Sequence, residues 1–143
     1  MPVAVKRVYE PVSRSDGARI LVDRLWPRGL RKSEVALQEW LRDLAPSDEL
    51  RKWVHAQPER WMVFRKRYLK ELARPEAAED LQKLYTLAGK RKRVTLLYAS
   101  KNEQHNNAVV LKELLEGMRK PPTGTGPGAV RAMRTRNAAI RRR

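Results

Sequence analysis

The run Val94–Ala99, VTLLYA, constrains this chain most. It is apolar without interruption and too short for a helix, so it reads as a strand covered on both faces. A strand of that kind belongs in the middle of a parallel sheet. Ala18–Arg24 (ARILVDR) has the same apolar centre, and Val3–Tyr9 (VAVKRVY) is β-branched and aromatic. Pro11 and Ser15-Asp16-Gly17 mark a turn between these two, and Trp26-Pro27-Arg28-Gly29 ends the second. The expectation is an α/β domain with a small, mainly parallel sheet of three to four strands flanked by helices, and with Val94–Ala99 central.

Five helices complete this reading. Ser33 caps the first, with Leu37, Trp40, Leu41 and Leu44 on one face and Pro46 as its end. Ser47 caps a second, with Asp48 and Glu49 at its positive end and Leu50, Trp53 and Val54 inward. Pro58 opens a third, whose stripe of Trp61, Phe64, Tyr68, Leu69 and Leu72 reads as core. Pro75 opens a fourth that buries Leu81, Leu84 and Leu87 and stops at Gly89. The last runs from about His105 to Glu116 after the polar loop Ser100–Gln104.

Charge divides the chain in two. It carries 32 Lys and Arg against 16 Asp and Glu, a formal +16. Half of that surplus lies in residues 117–143, which hold eight basic residues and no acid. Pro121-Pro122 and the three glycines Gly124, Gly126 and Gly128 give this tail a linker's composition, and its self-repulsion favours an unfolded state. The expected organisation is a domain over residues 1–116 and a basic, flexible tail over 117–143. A net positive balance favours polyanionic partners. The absence of cysteine excludes disulfides and thiolate metal sites, and suits the cytoplasm. Neither a signal peptide nor a membrane span is expected. Oligomeric state leaves no mark in the sequence.

Several segments together resemble a known family. They are Lys6–Glu10 (KRVYE), Leu21–Leu30 (LVDRLWPRGL), Glu39–Ser47 (EWLRDLAPS), Leu50–Leu72 and Thr95–Leu115 (TLLYASKNEQHNNAVVLKELL). On these the chain resembles the DUF488 family in its short, YeaO-like form, over about residues 3–116. The resemblance implies a compact α/β fold and names no reaction. Longer members look as though they carry Cys-His-Arg where this chain has Asn106-Asn107-Ala108. No helix-turn-helix followed by a β-hairpin wing can be read here.

Ligands of parallel sheets sit outside the carboxyl ends of the strands. Three such ends bring Tyr9 and Glu10, then Asp23, Arg24, Trp26 and Arg28, then Tyr98, Ser100 and Lys101 with Glu103, His105, Asn106 and Asn107 behind them. Arg24 and Arg28 offer planar cationic forks for phosphate or carboxylate, and Lys101 a third charge. Trp26 and Tyr98 offer stacking faces. Asp23, Glu103 and His105 are the candidates for acid–base work. Asn106 and Asn107 stand at a helix start, where backbone N–H groups favour anions. The bland alternatives are a structural ion pair for Asp23, a packed anchor for Trp26, capping for the asparagines and a dipole partner for His55.

Two functions of different class follow. One is an enzyme or binding domain for a small anionic, nucleotide-like ligand, which requires Arg24, Arg28, Tyr98 and Asn106 in one pocket. The other is a nucleic-acid module using Lys90–Arg93, the cations Arg60, Arg65, Lys66, Arg67 and Lys70 of the third helix, and the tail. No dinucleotide fingerprint or P-loop is present, and two isolated histidines do not suggest zinc. No acidic cluster argues for magnesium, and the sequence leaves the cofactor unknown.

Overall fold

A computed structural model of the 143-residue chain describes residues 3–90 and 93–117. The tail beyond Gly117, and Arg91 and Lys92 of the basic run Lys90–Arg93, lie outside the described residues. Four strands, β1 (Val3–Arg7), β2 (Ala18–Leu21), β3 (Glu39–Trp40) and β4 (Val94–Tyr98), form one all-parallel sheet in the order β1-β4-β2-β3. β4 is central, as its composition requires: all five of its residues are buried.

Alternation along the strands sorts side chains between the two faces. Ile20, Val94, Leu96 and Tyr98 join the main core with α2 (Asp48–Ala56), α3 (Trp61–Leu72), α4 (Pro75–Lys90) and α5 (Asn107–Gly117). Leu21, Leu97 and Val8 face the other way. There Val35, from the single-turn α1 (Lys32–Val35), covers them with Trp26, Leu30, Leu37 and Trp40. The domain has three layers of unequal thickness.

The first expected helix is a correction. It lasts one turn, and Ala36 then turns left-handed at φ 53°. Glu39 and Trp40 pair with Ile20 and Leu21, and Arg42–Leu44 makes a 3-10 turn. The cause is the free edge of β2: Gln38 N donates to Arg19 O at 2.8 Å and Leu41 N to Leu21 O at 2.9 Å. The four apolar residues assigned to one face serve two. Leu41 and Leu44 enter the main core, while Leu37 and Trp40 pack on the opposite side of the sheet.

Smaller corrections follow the same logic. Gly89 lies inside α4, which continues to Lys90, rather than ending it. Pro58 opens a 3-10 turn, Pro58–Arg60, that leads into α3. Ser47 does cap α2, accepting from Leu50 N at 3.2 Å. Glu71 of α3 then fixes that cap, accepting from Ser47 N at 2.8 Å and Ser47 Oγ at 2.6 Å. The Tyr68 hydroxyl donates to Leu44 O just before it. These bonds hold the start of α2 against α3, and the two helices build one wall of a cavity.

Candidate anion site at the carboxyl edge of the sheet

β2 and β4 end side by side, and the chain beyond each is tied to its neighbour. Asp23 accepts from Ala99 N at 2.9 Å and from Asn107 Nδ2 at 3.1 Å. The same Asn107 amide donates to Val22 O at 2.8 Å, and Trp40 Nε1 donates to Asp23 O at 2.7 Å. Burial raises the Asp23 carboxyl above its ordinary value, against the pull of the Ala99 and Asn107 bonds and the Arg51 charge. Arg7 holds the far side of the loop, donating to Ser100 O at 3.0 Å and Ala99 O at 3.2 Å. Asn102 Oδ1 folds that loop by accepting from Gln104 N and His105 N.

Asn106 starts α5. Its Oδ1 accepts from Val109 N at 3.0 Å and its Nδ2 donates to Asn102 O at 2.9 Å, so its carboxamide caps the helix and ties it to the loop before it. That places the first helical residue at Asn107, two later than expected.

Beside these strand ends lies a cavity of about 660 Å³, within the usual size of small-molecule sites. The sheet side supplies Asp23, Arg24, Trp26, Lys101 and His105, with Asn106 and Asn107 at the start of α5. The opposite wall is Arg51, Val54 and His55 of α2, then Pro58, and Trp61 and Phe64 of α3. Among the described residues, three basic side chains, Arg24, Arg51 and Lys101, thus line the space against one carboxylate, Asp23. Arg24 reaches over to Ala45 O at 3.4 Å. Arg51 makes a half-exposed contact to Asp48, also at 3.4 Å, and its charge acts on Asp23.

Three of the expected site residues stand elsewhere. Tyr98 is 2% exposed and its ring belongs to the core, where burial pushes the phenol up, helped by the Glu103 and Glu10 charges. Tyr98 is therefore no stacking surface. Arg28 is exposed outside the cavity, and its carbonyl accepts from Tyr9 OH at 2.9 Å. Glu103 is exposed and does not line the cavity. Of the four residues the pocket was expected to join, Arg24 and Asn106 meet in it. Trp26 lines it but is anchored, with Nε1 on Leu30 O at 2.7 Å and its ring edge-on to Trp40 at 5.2 Å.

The α2–α3 wall was missed. Arg51, Val54 and His55 share a face by helical spacing, but nothing in the sequence says what that face meets. Trp61 and Phe64 read as plain core. Phe64 is buried, but Trp61 is half-buried and its ring lies against His105. Among the described residues no three His, Asp or Glu side chains gather as a metal site requires. No helix there is long and apolar enough to cross a membrane.

The basic surface of α3 is partly engaged. Arg65 pairs with Glu113 at 2.9 Å, and the guanidinium groups of Arg67 and Arg60 lie over Trp53 at 4.6 and 5.7 Å. Lys66 and Lys70 are exposed.

Comparison with known proteins agrees with the resemblance carried by the motifs. The chain is 46% identical over 118 residues to the uncharacterised protein YeaO of Escherichia coli K12, covering 82% of this chain and all of that one. It is 44% identical over 115 residues to uncharacterised proteins of Mycobacterium tuberculosis and Mycobacterium bovis, covering 80% of this chain and 94% of each of those. No solved structure matches it significantly. The model of the family described as "Inactive DUF488-N3 subclade" matches residues 2–124, a little beyond the 3–116 of the motifs, and the chain belongs to the DUF488 family.

Proposed function

We propose that this chain is a binding domain for a small anionic, nucleotide-like ligand, held at the carboxyl edge of its sheet. The observation that carries the reading is the charge of the cavity: Arg24, Arg51 and Lys101 face a space whose one carboxylate, Asp23, is already bonded to Ala99 and Asn107. A partly enclosed site with a cationic surplus favours anions more strongly than the same charges in open water. The start of α5 beside it adds the partial positive charge of a helix N-terminus.

Binding without turnover fits the remaining observations. Asp23 serves to join β2, β4 and α5, Glu103 is outside the cavity, and His105 is stacked on a ring. The matching family model is described as an inactive subclade. Asn106 and Asn107, at positions that resemble the Cys-His of longer members, act here as a cap and a strand tie. A nucleic-acid interface along α3 is the weaker reading, since three of its cations are engaged with Glu113 and Trp53.

The test is a thermal-shift series with phosphate, sugar phosphates, nucleotides and simple carboxylates. A ligand at a hundredfold excess over its dissociation constant stabilises by about 2.7 kcal/mol, several degrees for a domain of this size. An Arg24→Ala/Lys101→Ala double variant should keep its fold and lose the shift. No shift with any anion, or an undiminished shift in the variant, removes the reading.

A further inference from the structure

The cavity contains one contact that none of its structural ties requires. The His105 imidazole lies flat on the Trp61 indole, with centroids 4.5 Å apart and planes 8° from parallel. His105 is exposed, on a loop exposed from Lys101 onward. Among the described residues, its ring has no other partner. Trp61 by contrast is fixed: it sits on α3, is half-buried against the main core and stacks on Phe64 at 5.1 Å. A rigid indole at a cavity wall thus carries a flat nitrogen heterocycle borne by an exposed loop.

Resting on the anion-site reading above, we propose that Trp61 is the stacking platform for the base of a nucleoside monophosphate, whose phosphate is taken by Arg24, Arg51 and Lys101. Three observations support it. The platform and the cations line the same cavity, whose volume suits a mononucleotide. The indole face is offered flat and already accepts a heteroaromatic ring in that orientation. The other aromatic candidates are committed: Tyr98 to the core, and Trp26 to Trp40 and Leu30. The base takes the position of the His105 ring, so His105 competes with the ligand and its side chain turns away on binding, while the loop that also carries Lys101 stays held by Arg7 and Asn102.

The experiment is calorimetric titration of the full chain with the four common nucleoside 5′-monophosphates, ribose 5-phosphate and inorganic phosphate. At least one nucleotide should bind roughly tenfold or more tighter than ribose 5-phosphate, the margin that base–aromatic stacking supplies. Trp61→Leu should lose that margin and keep its affinity for ribose 5-phosphate. His105→Ala, at an exposed position, should bind the nucleotide several-fold more tightly. Equal affinities for nucleotide and ribose 5-phosphate in the unaltered protein overturn the stacking proposal and leave the anion site standing. So does weaker nucleotide binding by His105→Ala. Failure of all six compounds to bind at millimolar concentration overturns both readings. If Trp61→Leu does not fold, the unaltered chain and His105→Ala still decide.

Discussion

Asp16 is the most heavily used carboxylate among the described residues. It is 6% exposed and accepts from Lys6 Nζ at 3.0 Å, from Ser13 N at 3.0 Å and from Arg19 Nη1. Burial alone would raise its pKa, but the bonds from Ser13, Lys6 and Arg19 outweigh it and hold the carboxyl below its ordinary value. A lowered carboxyl adds stability that is present above the unfolded value of 3.8 and is lost as pH falls through the folded one. Asp16→Asn strands Arg19, whose Nη2 is already buried without a partner among the described residues. It should cost about 3 kcal/mol at pH 7. Its deficit against the unaltered protein should shrink as denaturation is measured from pH 4 downward. A deficit that stays constant to pH 2 would show that the carboxylate's charge is not what matters.

The next residue makes a sharper demand. Gly17 has φ +66°, and a Cβ there would lie 2.3 Å from Arg93 O, the carbonyl that accepts from Ala18 N at 3.0 Å. Gly17→Ala therefore combines backbone strain with a clash at the β2–β4 junction and should cost about 3 kcal/mol in urea denaturation. The sequence announced the turn through Ser-Asp-Gly. It could not announce that the glycine is also a point of close approach to another strand.

At the scale of elements, what was legible depended on whether local signals had a rival. β4 and α2 had none: an unbroken apolar run and a serine cap with acids behind it led to the right elements. The segment 33–44 had a rival, because spacings of three and four residues fit a helix as well as a split between two faces of a sheet. The unpaired edge of β2 decided it, and that edge is a tertiary fact. Ser47 has a similar hidden tie. Its cap alone predicts a loss of about 1 kcal/mol for Ser47→Ala. Because Ser47 Oγ also donates to Glu71, whose charge is then less well satisfied, about 2 kcal/mol is expected instead. A Glu71→Ala/Ser47→Ala double-mutant cycle should show coupling between the two; strict additivity would mean that the cap acts alone.

Over the whole molecule, the strand ends were found from sequence and their helical counterpart was not. Asp23, Arg24, Lys101 and Asn107 follow from one rule about parallel sheets. Arg51, His55 and Trp61 reach the same cavity only because α2 and α3 fold back over the sheet's edge, which no local pattern records. α5 packs Ala108, Val110, Leu111 and Leu115 into the main core and ends at Gly117. The eight cations that follow Gly117 bring no acid and few apolar residues, so they offer little that could add to that core. We therefore expect a chain ending at Gly117 to melt within a few degrees of the full one. Its formal charge falls by half, and nonspecific binding to duplex DNA at low salt should fall with it, along with the steepness of the salt dependence. Unfolding on truncation would mean that Val130, Met133 or Ile140 completes the core and that the domain boundary belongs further along the chain.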